Sequence, residues 1–115
     1  MQIINPAIFE DAFIQKQKKA FAEEPPYPHL VIDNFLTEEA ANAAYQGFPT
    51  VKDLKTHWKS LNENKLEGSD FQSFKLVFGQ IDAALKSPEY YQWITDVTGI
   101  EEVFITNDSM GSGIH

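Results

Sequence analysis

The most regular hydrophobic pattern in the chain lies between residues 69 and 85. Aromatic and aliphatic side chains recur there at steps of three and four, at Phe71, Phe74, Phe78, Ile81 and Leu85. This spacing places them on one face of an α-helix. Ser69 and Gln72 have the spacing of a capping box at the start of such a helix. We therefore predict a helix that opens near residue 69 and packs its phenylalanine face on the core.

A helix is also predicted near the N-terminus. Asn5 can cap it, and Pro6 suits its first position, where no helical acceptor exists for an amide hydrogen. Ile4 is placed to pack against Phe9 as a hydrophobic staple. The apolar stripe of this helix consists of Phe9, Phe13, Ala20 and Phe21. The prolines at positions 25 and 26 cannot continue the hydrogen-bond ladder, so the helix should end before them.

Two shorter helices have clear boundaries. Thr37 can cap the first of them, and the two glutamates that follow lie where the helix dipole favours negative charge. Gly47 is placed to end it. Ser87 and a following proline open the second helix, and Gly99 is suited to the left-handed conformation that commonly ends a helix.

Short β-branched runs predict strands at residues 30–32 and 103–105. The stretch from residue 50 to 68 is irregular, and we interpret it as a loop with a short strand near Trp58. Ile114 and His115 look like the start of another strand. Because the strands are few beside the helices, the sheet they belong to is expected to be incomplete. A length of 115 residues predicts one domain.

The charge balance argues against several classes of partner. The net charge is −8, and all nine basic residues are lysine. Such a field repels nucleic acids and anionic membrane surfaces, so neither is predicted as a partner. The chain contains no cysteine, which excludes disulfides and thiolate metal sites. With no long apolar run and no signal-peptide pattern, we expect a cytoplasmic protein.

The candidate chemistry is limited. None of the three histidines, His29, His57 and His115, heads a His-x-Asp or His-x-Glu pair, and no two of them lie within one helical turn. The sequence therefore predicts no metal ligands and no catalytic residues in this chain. His29, which follows a proline, is interpreted as a structural histidine bonded to the backbone.

Four residues are candidates for contact with a substrate or co-substrate: Trp58, Asn64, Lys65 and His115. Each has a structural alternative. A tryptophan is commonly a core residue, and an asparagine followed by a lysine in a loop is commonly solvated surface. His115 follows a glycine-rich loop whose backbone freedom allows close approach to a ligand. Alternation along a strand places it equally well on the inner or the outer face.

Three segments, taken in order, resemble one family. Residues 27–36 (YPHLVIDNFL) resemble the opening signature of prolyl-hydroxylase-like, iron- and 2-oxoglutarate-dependent oxygenases. The middle of the chain, with Trp58, residues 63–65 (ENK) and residues 87–100, is similar to the helical region of the same enzymes. Residues 110–115 (MGSGIH) look like the segment that precedes their metal-binding strand. The resemblance spans the whole chain.

This resemblance implies an α+β fold, with a helical outer layer and the first strands of a double-stranded β-helix, or jelly roll. It also implies Fe(II), held by a His-x-Asp pair and a distal histidine, and 2-oxoglutarate, paired with a later arginine or lysine. In this chain those residues would lie beyond His115. We therefore expect an N-terminal segment of a hydroxylase that binds neither cofactor and is inactive alone.

A second interpretation belongs to a different functional class. A free-standing binding or assembly module could pair with another chain through an open sheet edge. Self-association, or a complementing chain, is the partner predicted in that case. The substrate of a complete enzyme, whether a prolyl residue, another amino acid or a small metabolite, is not indicated by the sequence.

Overall fold

The computed structural model describes residues 1–54, 56–61, 64–68 and 74–105. Two short 3₁₀ helices, four α-helices and one hairpin occur in these ranges. In chain order the elements are the 3₁₀ helix Pro6–Phe9, α1 (Asp11–Glu23), α2 (Glu38–Gln46), the 3₁₀ helix Val51–Asp53, β1 (Thr56–Lys59), β2 (Asn64–Glu67), α3 (Leu76–Leu85) and α4 (Pro88–Thr98).

The N-terminal helix differs from the prediction at its start. The Asn5 side chain caps as expected, accepting a hydrogen bond from the Ala7 amide at 3.0 Å, but the turn it caps is 3₁₀ and ends at Phe9. The α-helix then begins at Asp11 and ends at Glu23, before the two prolines. As a result Ile8 is buried, whereas Phe9 is 37% exposed. A 3₁₀ turn has three residues rather than 3.6, which changes the face on which each side chain emerges.

The main core forms where α1 and α4 pack on each other. Its buried residues are Ile4, Ile8, Trp93 and Val97. The Trp93 indole donates a hydrogen bond from Nε1 to the carbonyl oxygen of Ile8 at 2.7 Å. Tyr90 stacks on the same indole, with ring centroids 5.9 Å apart. The burial that comes with this packing raises the pKa of the Tyr90 hydroxyl.

The stretch from residue 29 to 36 crosses this core without forming a strand. Leu30, Ile32 and Phe35 pack against the buried cluster, while Val31 is 78% exposed. An isolated antiparallel bridge joins Ile4 to Leu36. Two backbone hydrogen bonds support it, from the Asn5 amide to the Phe35 carbonyl at 2.8 Å and from the Thr37 amide to the Ile3 carbonyl at 2.9 Å.

A second, smaller core lies between α2 and α3. Val77 and Phe78 are buried there, and half-buried side chains from both helices and from Leu54 pack around them. The helix α3 begins at Leu76 with Lys75 as its cap, so Phe74 precedes it. The predicted start near residue 69 is therefore wrong for this helix, because Phe74 and Lys75 are not helical. Ser69, Phe71 and Gln72 themselves lie outside the described residues.

The boundaries predicted for α2 and α4 are confirmed. Thr37 Oγ1 accepts a hydrogen bond from the Ala40 amide at 3.2 Å, and Ser87 Oγ accepts one from the Tyr90 amide at 3.3 Å. Gly47 follows the last residue of α2. Gly99 ends α4 in the left-handed region, at a φ of 76°. These signals depend on residues within one turn of the helix end, so the local sequence suffices to predict them.

The predicted jelly-roll fold class is wrong for the described part of the chain. That part is mainly helical, and its only sheet is the two-stranded hairpin of β1 and β2. Neither residues 30–32 nor residues 103–105 form a strand. Leu30 and Ile32 pack on helices instead, and the Ile105 amide donates a hydrogen bond to the Tyr91 hydroxyl at 3.1 Å. The short strand predicted near Trp58 is confirmed as β1.

The hydrogen bond between Trp93 and Ile8 should be a main source of stability. Trp93→Phe removes the donor, leaves the buried Ile8 carbonyl oxygen without its partner, and opens a small cavity. We expect the free energy of unfolding to fall by about 1–3 kcal/mol. Urea unfolding followed by circular dichroism measures this. Tyr45→Phe, at a position 82% exposed, is the control and should change stability by less than about 0.5 kcal/mol. Equal midpoints for Trp93→Phe and the wild type would contradict the role assigned to this bond.

Candidate functional site

Three of the four candidate site residues lie on the hairpin. The antiparallel register of β1 and β2 pairs Trp58 with Lys65 and Lys59 with Asn64. Directly opposite positions of an antiparallel pair have Cα atoms about 4.5–5.5 Å apart. The backbone positions of Trp58, Asn64 and Lys65 are therefore neighbours, although the sequence separates them by a turn. The fourth candidate, His115, lies outside the described residues.

The end of the hairpin is held against the smaller core. Gly68 follows β2, and a Cβ atom added there would lie 2.7 Å from Cζ of Phe74 and 3.3 Å from Cδ2 of Leu54. Only glycine lets the backbone come this close to the two side chains without displacing them. Gly68 therefore lies close to Phe74 and Leu54, two side chains that pack on the smaller core.

A depression of about 490 Å³ adjoins the same region, lined by residues 46–50, Asp53, Phe74 and Lys75. Two of the residues that line it, Thr50 and Asp53, form a capping box. The Asp53 carboxylate accepts hydrogen bonds from the Thr50 amide at 2.8 Å and from the Thr50 hydroxyl at 3.0 Å. The pKa of Asp53 is lowered most by the hydrogen bond from the Thr50 amide and next by the hydrogen bond from the Thr50 hydroxyl. The positive charge of Lys75 lowers it further. Because Oδ2 of Asp53 accepts both of these hydrogen bonds within the loop, Asp53 is better explained as a structural carboxylate than as a catalytic one.

A smaller pocket of about 160 Å³ lies between α1 and the stretch from residue 29 to 31. Gln17 and Ala20 of α1 and Glu24, which follows the helix, line one side of it, and His29, Leu30 and Val31 line the other. His29 forms the predicted backbone contact, since its Nδ1 lies 2.8 Å from the Tyr27 carbonyl oxygen. A carbonyl oxygen can only accept, so Nδ1 carries the proton and Nε2 of the neutral ring is an acceptor.

Sequence reasoning missed Gln17. It is the only buried polar side chain among the described residues, with 9% of its surface exposed. A helical wheel would have placed it on the face shared with Phe13 and Phe21, which was the available signal. The capping box of Thr50 and Asp53 was also missed, although its Thr-x-x-Asp spacing is visible in the sequence.

The described residues do not fit an iron site. No group of three histidine, aspartate or glutamate side chains among them is arranged to hold a metal ion. The iron implied by the resemblance therefore has no set of three ligands in the described ranges. The same ranges contain no helix that is both long and apolar enough to cross a membrane.

Comparison with known proteins gives no relative. No protein-family model matches the chain, and no curated protein or solved structure matches it.

The lowered pKa of Asp53 predicts a pH-dependent contribution to stability. A carboxylate whose pKa is lower in the folded state stabilises the fold above its ordinary pKa, and this contribution is lost as the pH falls through the folded-state pKa. Asp53→Asn should therefore lower the melting temperature at about pH 6 but much less at about pH 2. Thermal melts of both proteins across that range measure the difference. A difference that stays constant with pH would show that the charge of Asp53 is irrelevant.

Proposed function

We propose that this chain forms the helical, non-catalytic part of an iron- and 2-oxoglutarate-dependent oxygenase of the prolyl-hydroxylase-like type. The observation that supports the proposal is the packing between two of the segments that carry the resemblance. Residues 27–36 and residues 87–100 meet in the main core. Their direct contact includes the rings of Phe35 and Tyr90, whose centroids are 5.7 Å apart in an edge-to-face arrangement.

The positions that define the resembling segment have structural roles in this core. Leu30, Ile32 and Phe35 pack on the buried cluster that contains Trp93 and Val97. Asn34, at the turn between them, has a φ of 56°, a conformation that asparagine tolerates better than most residues. The apolar positions of this segment support α4, which is the role that the proposal gives to this part of the chain.

The proposal assigns no chemical step to these residues. The described histidines and carboxylates do not group into an iron site. Iron and 2-oxoglutarate would be bound by residues outside the 115, in the same polypeptide or in a second chain. The part played by the present residues is to provide a packed helical support, with the hairpin that carries Trp58, Asn64 and Lys65 attached to it.

The decisive experiment compares this chain with the protein encoded by its full genomic region. Both are purified and incubated with Fe(II), ascorbate, oxygen and 2-oxoglutarate, and succinate is measured. We expect no succinate above background from the 115 residues. We expect succinate from the complete protein, or from the chain mixed with a neighbouring gene product that contains a His-x-Asp pair.

Two results would overturn the proposal. One is a genomic region that encodes no His-x-Asp or His-x-Glu pair, either in frame with this chain or in an adjacent gene. The other is a complete protein that folds, contains such a pair and produces no succinate from 2-oxoglutarate with any of a panel of prolyl peptides, amino acids and small metabolites, nor without substrate. Succinate formation by the 115 residues alone would contradict their assignment as non-catalytic.

A further inference from the structure

Exposed apolar side chains gather where α2 ends and α3 begins. Tyr45 in the last turn of α2, Phe48 and Val51 after it, and Leu76 at the start of α3 are each more than half exposed. All four lie within the two short stretches, residues 45–53 and 74–76, from which the depression of about 490 Å³ takes its lining. We call these four residues the α2–α3 patch. Large apolar side chains that are exposed together in this way are typical of docking surfaces.

The depression beside the patch is held in place by the smaller core. The rings of Phe48 and Phe74 both pack edge-to-face on the buried Phe78, with centroids 6.2 Å and 6.1 Å from it. A Cβ atom added to Gly47 would lie 2.8 Å from Cγ of Lys75, so the stem of this lysine lies directly against the end of α2. A partner that docks here meets side chains that are already positioned, which lowers the entropic cost of binding.

The charge around the patch is opposite in sign to that of the whole chain. Residues 45–54 and 74–78 contain two lysines, Lys52 and Lys75, and one aspartate, Asp53, in a chain of net charge −8. Both lysines are exposed, and neither forms an ion pair with a residue that the structure describes. Asp53 offsets part of the charge of Lys75, and its Oδ2 is occupied by Thr50. The excess positive charge can be offset by carboxylates of a partner.

The backbone of this region leaves few groups for an added strand. Four of its amides already donate hydrogen bonds to nearby groups of the chain, those of Phe48, Thr50, Asp53 and Leu54. A partner must therefore bind through side chains. An amphipathic helix that lays its apolar face against a hydrophobic groove binds in this way.

Charge and size together decide between the possible occupants. A twofold dimer would place the same patch on both sides of the interface, so Lys52 and Lys75 of one copy would meet the same lysines of the other. A small carboxylate could reach Lys75 in the depression, but it would leave Tyr45 and Leu76 uncovered. An acidic amphipathic helix both offsets the lysines and covers the apolar side chains.

We propose that the α2–α3 patch docks an amphipathic helix of a partner protein, in which glutamate or aspartate residues border the apolar face. The apolar side chains of this helix pack on Phe48 and Leu76, and its carboxylates pair with Lys52 and Lys75. The proposal is independent of the oxygenase role, because the site requires neither iron nor 2-oxoglutarate.

The test uses three blocked peptides of about fifteen residues, a length that allows a helix to form. All three have the same leucines at helical spacing, and the positions beside the leucines are glutamate in the first, glutamine in the second and lysine in the third. Binding to the full chain is measured by calorimetry at low and high salt, and NMR follows the amides of residues 45–54 and 74–78. Net charge alone would favour the lysine peptide, since the chain carries −8.

We expect the glutamate peptide to bind at least about fivefold more tightly than the glutamine peptide at low salt, and this preference should shrink at high salt. Lys75→Gln should reduce the preference to about twofold, because it removes one of the two cations. Lys16→Gln, at an exposed position on α1, is the matched control and should change binding less than about 1.5-fold.

A second pair of variants tests the apolar contact. Leu76→Gln should weaken the binding of the glutamate peptide about threefold or more, because apolar area is no longer buried. Val31→Gln, at a position with the same exposure of 78%, should leave it unchanged. Circular dichroism checks that each variant folds, and the peptide comparison on the wild type does not depend on any variant.

Four results would overturn the proposal. The first is equal binding, or no binding, of the glutamate and glutamine peptides to the wild type. The second is tightest binding of the lysine peptide, which would show that net charge decides. The third is an equal effect of Leu76→Gln and Val31→Gln, which would indicate nonspecific apolar adhesion. The fourth is a dimer in light scattering whose dissociation on dilution shifts the amides of the patch, which would make a second copy the occupant.

Discussion

The buried hydrogen bond from the Trp93 indole to the Ile8 carbonyl joins residues that are 85 positions apart in the chain. A buried indole needs an acceptor, and a buried carbonyl oxygen needs a donor, so each satisfies the requirement of the other. The bond holds α4 against the N-terminal 3₁₀ turn. The contact between α1 and α4, and the platform on which residues 29–36 lie, both depend on that placement.

Residues 27–36 present different groups to the two sides. Their apolar side chains pack inwards on α1 and α4, while the backbone of residues 30–32 and the side chain of Val31 lie on the outside. On the inward side, a change in Leu30, Ile32 or Phe35 would disturb the core. The outward side lies beside the pocket that Gln17, Glu24 and His29 help to line.

The helix ends could be predicted because their causes are local. Asn5 and Ser87 cap with their own side chains, and Gly99 adopts the left-handed conformation within the same turn. The hairpin was only partly predictable, since one strand was expected near Trp58 but its pairing with residues 64–67 was not. The pocket at Gln17 was not predicted, because its two walls come from separate stretches of the chain and the intervening residues 25–28 give no indication that they meet.

The sequence by itself determined where α1 ends, how α2 and α4 begin and end, the strongly acidic charge, and the absence of cysteine chemistry. The tertiary structure decided which faces are buried and whether apolar runs become strands. The 3₁₀ turn places Ile8 in the core and leaves Phe9 partly exposed. Residues 30–32 pack on helices and form no backbone hydrogen bonds with a neighbouring strand in the described part of the chain. The physical reason is that the backbone groups of a helix form hydrogen bonds with residues only four positions away. A strand forms its hydrogen bonds, and a core face its contacts, with residues that are far away in the sequence.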